Sequence, residues 1–112
     1  MTMMNRNQKD ITILYPEGKI VLGEGDQELG EAVRQVLEQG ARKVIINFSK
    51  VSYLDSSGVG ELVGCYTLIR HQAGDLGICC LNARIATLIK MTSLNSVFAV
   101  HETEDEAVAG FR

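Results

Sequence analysis

Short runs of apolar residues alternate along the chain with stretches in which apolar residues recur at helical spacing. Two β-prone runs come first, at residues 11–15 and 19–23, and Pro16-Glu17-Gly18 separates them. Proline and glycine in such a cluster are typical of a turn, so this pattern predicts two neighbouring antiparallel strands. Residues 1–10 have neither an apolar stretch nor a signal-peptide cleavage pattern, and we expect them to form a flexible N-terminal tail.

The next segment has the pattern of an amphipathic helix that begins at Asp26. Its apolar residues recur every three or four positions, as a core-facing helix requires, at Leu29, Ala32, Val33, Val36 and Leu37. We interpret Asp26 as the residue that caps the helix, because a carboxylate there can accept a hydrogen bond from an unpaired backbone N–H. Gly40 stands where a left-handed residue can end the helix.

Three later apolar runs predict buried strands. Val44 to Phe48 is nearly unbroken in its apolar character, which is typical of a central strand covered by helices on both faces. Residues 77–81 form a similar run, and residues 97–100 supply a last strand. We expect the first of these runs to lie in the middle of the sheet.

Helices are predicted between and after these strands. One follows residues 55–60 and ends near Ala73-Gly74, the next is capped by Asn82, and the last begins with the capping-box spacing of Thr103 to Glu106. The resulting order, β-β-α-β-α-β-α-β-α, predicts an α/β fold with a mixed sheet of about five strands layered with about four helices. We expect residues 11–112 to form a single domain.

Composition and net charge limit the kinds of molecule that this protein is expected to bind. Apolar residues make up 46% of the 112 residues, charged residues make up 22%, and the formal net charge is −3. Lys and Arg are scattered, so the basic patch that direct nucleic-acid or anionic-lipid binding requires is missing, and the apolar runs are too short to cross a bilayer. These features predict a cytoplasmic protein whose partners are other proteins.

The number and spacing of the cysteines do not predict a set of disulfide bonds. Two of the three, Cys79 and Cys80, are adjacent in a predicted strand. Successive side chains of a strand point to opposite faces, so we expect these two thiols to be separated. Neither a disulfide framework nor a zinc site follows from the cysteine count and spacing, and we expect buried, reduced thiols.

The most unusual stretch is Asp55-Ser56-Ser57-Gly58-Val59-Gly60, where the chain passes from a strand to a helix. A hydroxyl at a helix N-terminus faces unpaired N–H groups and the positive end of the helix dipole. A phosphate on that hydroxyl would be stabilised locally by roughly 1 kcal/mol. It would also add about 1.5 to 2 negative charges beside Asp55, which would disfavour contact with an acidic or apolar partner surface.

Helix capping is the alternative explanation of this stretch, and on residue types alone it is the stronger one. Ser56 and Ser57 cannot be distinguished in this way, since either could be the cap and either the phosphate acceptor. A serine hydrolase is not supported, because Asp55 stands where a nucleophile elbow needs glycine and His71 lies far along the same helix. Dinucleotide and Walker motifs do not occur, so we expect no cofactor.

The six-residue stretch, with Val44–Phe48 and Val51-Ser52-Tyr53-Leu54 before it, resembles the phosphorylation motif of STAS domains. The resemblance is to members of the anti-sigma factor antagonist type, and it runs from about Ile11 to Gly110. It includes Gly23-Glu24-Gly25-Asp26, where the family has a Gly-Glu-x-Asp segment before its first helix. The resemblance implies a STAS fold and a regulatory function without catalysis.

The resemblance also implies a mechanism and its partners. In such proteins the unphosphorylated form binds a serine kinase that doubles as an anti-sigma factor, which frees the sigma factor. The second serine of the pair accepts the phosphate, which carries over to Ser57, and a PP2C-type phosphatase removes it; ATP is bound by the kinase. The partner-binding residues implied here are Asp26, Asp55, Ser56, Gly58, Val59 and Gly60.

Two departures from the family pattern bear on the partner more than on the fold. Ser93 stands where many members have glycine, and Gly25 replaces the usual apolar residue before Asp26. STAS domains also occur in stressosomes and in phospholipid-transport ABC complexes, so a subunit of this kind that does not switch is the alternative function. Homodimer formation is also left open.

Overall fold

A computed structural model describes residues 2–8 and 10–111 as a six-stranded sheet layered with helices. The elements in chain order are β1 (Thr2–Gln8), β2 (Ile11–Ile20), α1 (Asp26–Glu38), β3 (Lys43–Asn47), β4 (Val51–Leu54), α2 (Ser56–His71), β5 (Asp75–Cys79), α3 (Ala83–Met91), β6 (Ala99–His101) and α4 (Glu104–Ala109). This order confirms the predicted mixed α/β fold. β1 and β4 are additional to the predicted strands, and the first two predicted strands are a single strand, β2.

β2 is the strand around which the sheet is organised. It pairs antiparallel with β1 and parallel with both β3 and β4, and the sheet continues in parallel from β3 to β5 and β6. The part of β2 through Leu14 lies against β3, and the part from Gly18 lies against β4, with a register shift after Gly18. The predicted turn at Pro16-Glu17-Gly18 is therefore wrong, because the chain continues there as one strand that changes its partner.

Residues 2–8 form a strand, not the flexible tail predicted for residues 1–10; Met1 and Lys9, which that prediction included, lie outside the described residues. β1 pairs with β2 along its whole length. Arg6 in β1 forms an ion pair with Glu104 at the start of α4, and the same carboxylate accepts a hydrogen bond from Asn47 Nδ2 at 3.0 Å. The sequence of β1 lacks the alternation of apolar and polar residues that marks a strand, so only these long-range contacts reveal it.

The sheet separates two hydrophobic clusters. The larger cluster joins one face of the sheet to α1, α2 and α3. The smaller cluster lies between the other face and α4. β3 contributes Val44 and Ile46 to the larger cluster and Ile45 to the smaller one, which confirms that this strand is covered on both faces.

The last two helices, α3 and α4, begin at the capping residues that the sequence predicts. Asn82 caps α3 by accepting a hydrogen bond from the Ile85 N–H at 2.9 Å. Thr103 and Glu106 form the predicted capping box at the start of α4. Within residues 2–8 and 10–111, none of the helices has the combined length and apolar character that crossing a bilayer requires.

The adjacent cysteines depart from the alternation of a strand. β5 ends at Cys79, and Cys80 has a left-handed backbone conformation with a φ of 65°. This conformation brings the two side chains together, with the Cys80 Sγ atom 3.4 Å from the Cys79 Sγ atom. The prediction that these thiols point to opposite faces is wrong, because Cys80 lies beyond the end of the strand.

Candidate functional site

The unusual six-residue stretch lies where β4 leads into α2. Because β2 and β4 are parallel, α1 and α2 both begin at the carboxyl end of these strands, and the two helices pack side by side. Asp55 occupies the N-cap position of α2, and Ser56 and Ser57 are the first two helical residues. The structure therefore places a pair of hydroxyl groups on the first turn of a helix.

The Asp55 carboxylate makes two backbone contacts. Its Oδ1 atom accepts a hydrogen bond from the Gly58 N–H at 2.9 Å, and its Oδ2 atom accepts one from the Leu22 N–H at 3.1 Å. The Gly58 contact is the main reason why the pKa of Asp55 lies below its ordinary value, and the Leu22 contact adds to the effect. Asp55 is thus an anionic cap that also ties the loop before α1 to the start of α2.

Neither Ser56 nor Ser57 is the N-cap of α2. Ser56 is exposed and Ser57 is half-buried. Within the described chain, neither hydroxyl takes part in a hydrogen bond. The alternative that one of these serines is the cap is wrong, since Asp55 holds that position. Neither serine is buried, and the assignment of the phosphate to Ser57 rests on the family resemblance.

The two glycines of the stretch have different surroundings. Gly58 is buried, and a Cβ atom there would lie 2.2 Å from the Ile20 carbonyl oxygen. Gly60 is exposed, and apart from its chain neighbours and the backbone of its own helix a Cβ atom there would meet none of the described heavy atoms within 4 Å. Val59, between them, packs partly against the larger cluster. Gly58 therefore sets how closely α2 approaches β2, whereas Gly60 leaves the surface open.

Asp26 is the first residue of α1 and not its N-cap. Gly25 holds the N-cap position with a φ of 91°, a left-handed conformation that glycine adopts without steric cost because it has no Cβ atom. The Asp26 Oδ1 atom accepts a hydrogen bond from the Gln27 N–H at 2.8 Å, and the residue stays half-buried at the helix start. The Asp55–Leu22 bond brings the loop that precedes Asp26 to α2. We refer to residues 21–26 and 55–60 together as the corner.

An open groove that sequence patterns do not reveal adjoins the corner. It has a volume of about 610 Å³ and lies between the end of β4 and one face of α3. Tyr53 and Leu54 line the groove from the strand, and Arg84, Leu88 and Met91 are among the residues that line it from the helix. The Arg84 guanidinium lies 5.8 Å from the centre of the Tyr53 ring, within the range of a cation–π contact. The groove extends the accessible apolar surface away from the corner.

The corner lies far from His71, the histidine of the same helix. His71 ends α2, fourteen residues beyond Ser57, which corresponds to about 21 Å along the helix axis. At that distance its imidazole cannot act as a base for the Ser57 hydroxyl. In the part of the chain that the structure describes, no three or more His, Cys, Asp or Glu side chains form a group that could hold a metal ion.

Two sequence relatives are antagonists of anti-sigma factors. The anti-sigma-B factor antagonist of Staphylococcus aureus is 32% identical to this chain over 75 residues, which cover 67% of this chain and 69% of that protein. The anti-sigma F factor antagonist of Paenibacillus polymyxa is 24% identical over 91 residues, which cover 77% of this chain and 78% of that protein.

Solved structures share the fold. An anti-sigma factor antagonist from Mycobacterium paratuberculosis has a TM-score of 0.87 at 21% identity, over 97% of this chain and 92% of that chain. The Bacillus cell fate determinant SpoIIAA in its phosphorylated form has a TM-score of 0.75 at 20% identity, over 99% of this chain and 100% of that chain. Residues 2–107 match the STAS domain. Since that match spans nearly the whole chain, the protein belongs to the STAS domain family.

Proposed function

We propose that this chain is an anti-sigma factor antagonist that binds an anti-sigma factor serine kinase while unphosphorylated and leaves it when Ser57 is phosphorylated. The names of the two sequence relatives support the antagonist function. The observation that carries the switch is that Asp55 caps α2, whereas the hydroxyl of the half-buried Ser57 makes no hydrogen bond in the described chain. A hydroxyl that makes no hydrogen bond within the fold can be modified while the fold is retained.

The first turn of α2 can accommodate a phosphate. Ser57 lies on the first turn of α2, and the positive end of a helix dipole favours a nearby anion by about 0.3 to 1 kcal/mol. The Asp55 carboxylate acts in the opposite direction, because it is already anionic and repels a second negative group. The two effects offset each other, so we expect the folded domain to survive phosphorylation.

A bound partner would experience a much larger change. Phosphorylation takes the formal net charge from −3 to about −5, and it places the new charge at the corner. Leu22, which belongs to the corner, has 76% of its surface exposed, and the apolar groove adjoins the corner. A partner that covers this surface would have to desolvate the phosphate, and a loss of about 2.8 kcal/mol already weakens binding roughly a hundredfold.

The proposed partner-binding residues act in two ways. Asp26, Ser56 and Gly60 reach the surface and can touch a partner directly. Gly58 is buried and can contribute only by shaping the first turn of α2, which also orients Ser57. In this mechanism ATP is bound by the kinase, a PP2C-type phosphatase restores the hydroxyl, and the exchange takes place in the cytoplasm.

A kinase assay tests the proposal. The purified protein is incubated with an anti-sigma factor serine kinase of the same organism and ATP, and the phosphate is mapped by mass spectrometry. We expect one phosphate on the unmodified sequence and on the matched control Ser56→Ala, and none on Ser57→Ala. A phosphate on Ser56 would contradict the assigned acceptor. Binding without any phosphorylation would favour the STAS subunit that does not switch.

A further inference from the structure

Cys79 and Cys80 form a pair of thiols in contact at the carboxyl end of β5. Their Sγ atoms are 3.4 Å apart, with the Cys80 thiol directed at the Cys79 sulfur. Side chains of consecutive residues in a strand point away from each other, so this contact requires the left-handed conformation of Cys80. Left-handed backbone is uncommon for residues other than glycine, asparagine and aspartate. The chain thus adopts an unfavourable local conformation that holds two sulfur atoms together.

The two thiols differ in access. Cys79 has 0% of its surface exposed, in the smaller cluster, whereas Cys80 is half-buried. Burial is the main cause that raises the pKa of Cys79, and the contact with Cys80 raises it further. A reagent in solution therefore meets Cys80 first, and Cys79 can react only through its neighbour.

The backbone between the thiols is held on both sides. The Cys79 carbonyl oxygen accepts a hydrogen bond from the Phe48 N–H at 2.9 Å, and the Cys80 N–H donates one to the His101 carbonyl at 3.3 Å. These bonds anchor the peptide between the ends of β3 and β6. The backbone that carries the two thiols is therefore held in place by its neighbours.

Cys65 provides an internal comparison. It has 3% of its surface exposed within the larger cluster, and burial raises its pKa to about 12. Its thiol has neither access to solution nor a second cysteine beside it. Among the three cysteines, all of which the structure describes, only the pair at the end of β5 combines a half-buried cysteine with a second thiol in contact.

We propose that Cys79 and Cys80 are a modification site, a vicinal dithiol that closes to a disulfide by exchange with a small-molecule disulfide such as glutathione disulfide. The Cys80 thiolate attacks one sulfur of glutathione disulfide, which forms a mixed disulfide and releases one glutathione. Cys79 then loses its proton to water, attacks the Cys80 sulfur and displaces the second glutathione. Two electrons pass from the protein to the small disulfide, and two glutathione thiols are released for each protein disulfide formed.

The resulting ring should open easily. Consecutive Cα atoms are about 3.8 Å apart, which is shorter than the roughly 4.4 to 6.8 Å usual across a disulfide. Strained disulfides are reduced more readily than relaxed ones. The site therefore responds to the ratio of glutathione disulfide to glutathione, and reduced glutathione should restore both thiols.

Mass spectrometry of the folded protein after incubation with glutathione disulfide tests the inference. In the unmodified sequence we expect a disulfide between residues 79 and 80, formed at least about tenfold faster than any modification of Cys65. Cys79→Ser should accumulate one glutathione on Cys80, because the displacing thiol is missing. Cys80→Ser should leave Cys79 reduced, and the matched control Cys65→Ser should close as the unmodified sequence does.

Three results would overturn the inference. They are a stable glutathione adduct on Cys80 of the unmodified sequence, no reaction of the folded protein at any accessible ratio, and modification of Cys65 at a similar rate. Circular dichroism of each variant shows whether it is folded before the incubation. If Cys79→Ser fails to fold, the unmodified sequence and Cys80→Ser decide the question by themselves.

Discussion

Gly58 and Gly60 are two positions apart in α2, yet we expect opposite effects when each is replaced by alanine. A Cβ atom at Gly58 would lie 2.2 Å from the Ile20 carbonyl oxygen and 2.5 Å from Cδ1 of Leu54. Apart from its chain neighbours and the backbone of its own helix, a Cβ atom at Gly60 would have none of the described heavy atoms within 4 Å. Gly58→Ala therefore requires the start of α2 to move away from β2, whereas Gly60→Ala requires no movement.

The size of each effect follows from two opposing contributions. Real Cβ atoms keep at least 3.0 Å from such neighbours, so the 2.2 Å approach at Gly58 must open by about 0.8 Å against a backbone oxygen that cannot rotate away. Overpacking of this kind costs about 1 to 3 kcal/mol, and replacing a helical glycine by alanine contributes up to about 1 kcal/mol of stability. We expect Gly58→Ala to lose about 1 to 2 kcal/mol and Gly60→Ala to gain about 0.5 to 1 kcal/mol.

Thermal unfolding followed by circular dichroism measures the difference. The two variants should be separated by about 1.5 to 3 kcal/mol, which corresponds to roughly 6 to 12 °C in Tm for a domain of this size. Gly60→Ala is the matched control, because it changes the same residue type in the same helix. A Tm of Gly58→Ala equal to or above that of the unmodified sequence would refute the close approach between α2 and β2.

The remaining predictions concern Ser57 and Asp55. Ser57→Asp should weaken binding to the anti-sigma kinase at least about tenfold while Tm stays within a few degrees, and Ser57→Ala should bind normally; equal Kd values in calorimetry would contradict release by charge. The pKa of Asp55 is lowered from 3.8, chiefly by the Gly58 N–H, so the unfolded chain binds this proton more tightly than the folded domain. The contribution of Asp55 to the free energy of unfolding is fully present above the ordinary pKa of 3.8. It is lost as the pH falls through the lower pKa that Asp55 has in the folded domain. Urea unfolding from pH 7 to pH 3 should therefore show a smaller acid-induced loss in Asp55→Asn, and parallel curves for the two proteins would rule out this role.

Sequence patterns were sufficient where structure depends on residues close together in the chain. The apolar periodicity that starts after Asp26 predicted α1, and the capping box of Thr103 and Glu106 predicted the start of α4. The unbroken run from Val44 predicted a strand covered on both faces. The candidate site was placed on a helix N-terminus for the same local reason, because small polar residues before an apolar helical run mark such a terminus.

Details of the site needed the tertiary structure. Asp55, Ser56 and Ser57 are all adequate caps by residue type, and the choice of Asp55 became clear from its bonds to Gly58 and to the distant Leu22. The sequence alone also does not distinguish Gly58 from Gly60. Their difference comes from Ile20, a residue of another strand, which lies against only one of them.

What the sequence determined by itself is therefore the order of the helices α1 to α4, the central strand and the position of two hydroxyls at the start of α2. The tertiary structure decided that residues 2–8 form a strand, that β2 continues through Pro16 and that Cys79 meets Cys80. The physical reason is the range of the interactions involved. Periodicity and caps act over a few residues, whereas strand pairing, close approach and side-chain contact at a strand end depend on segments brought together only by folding.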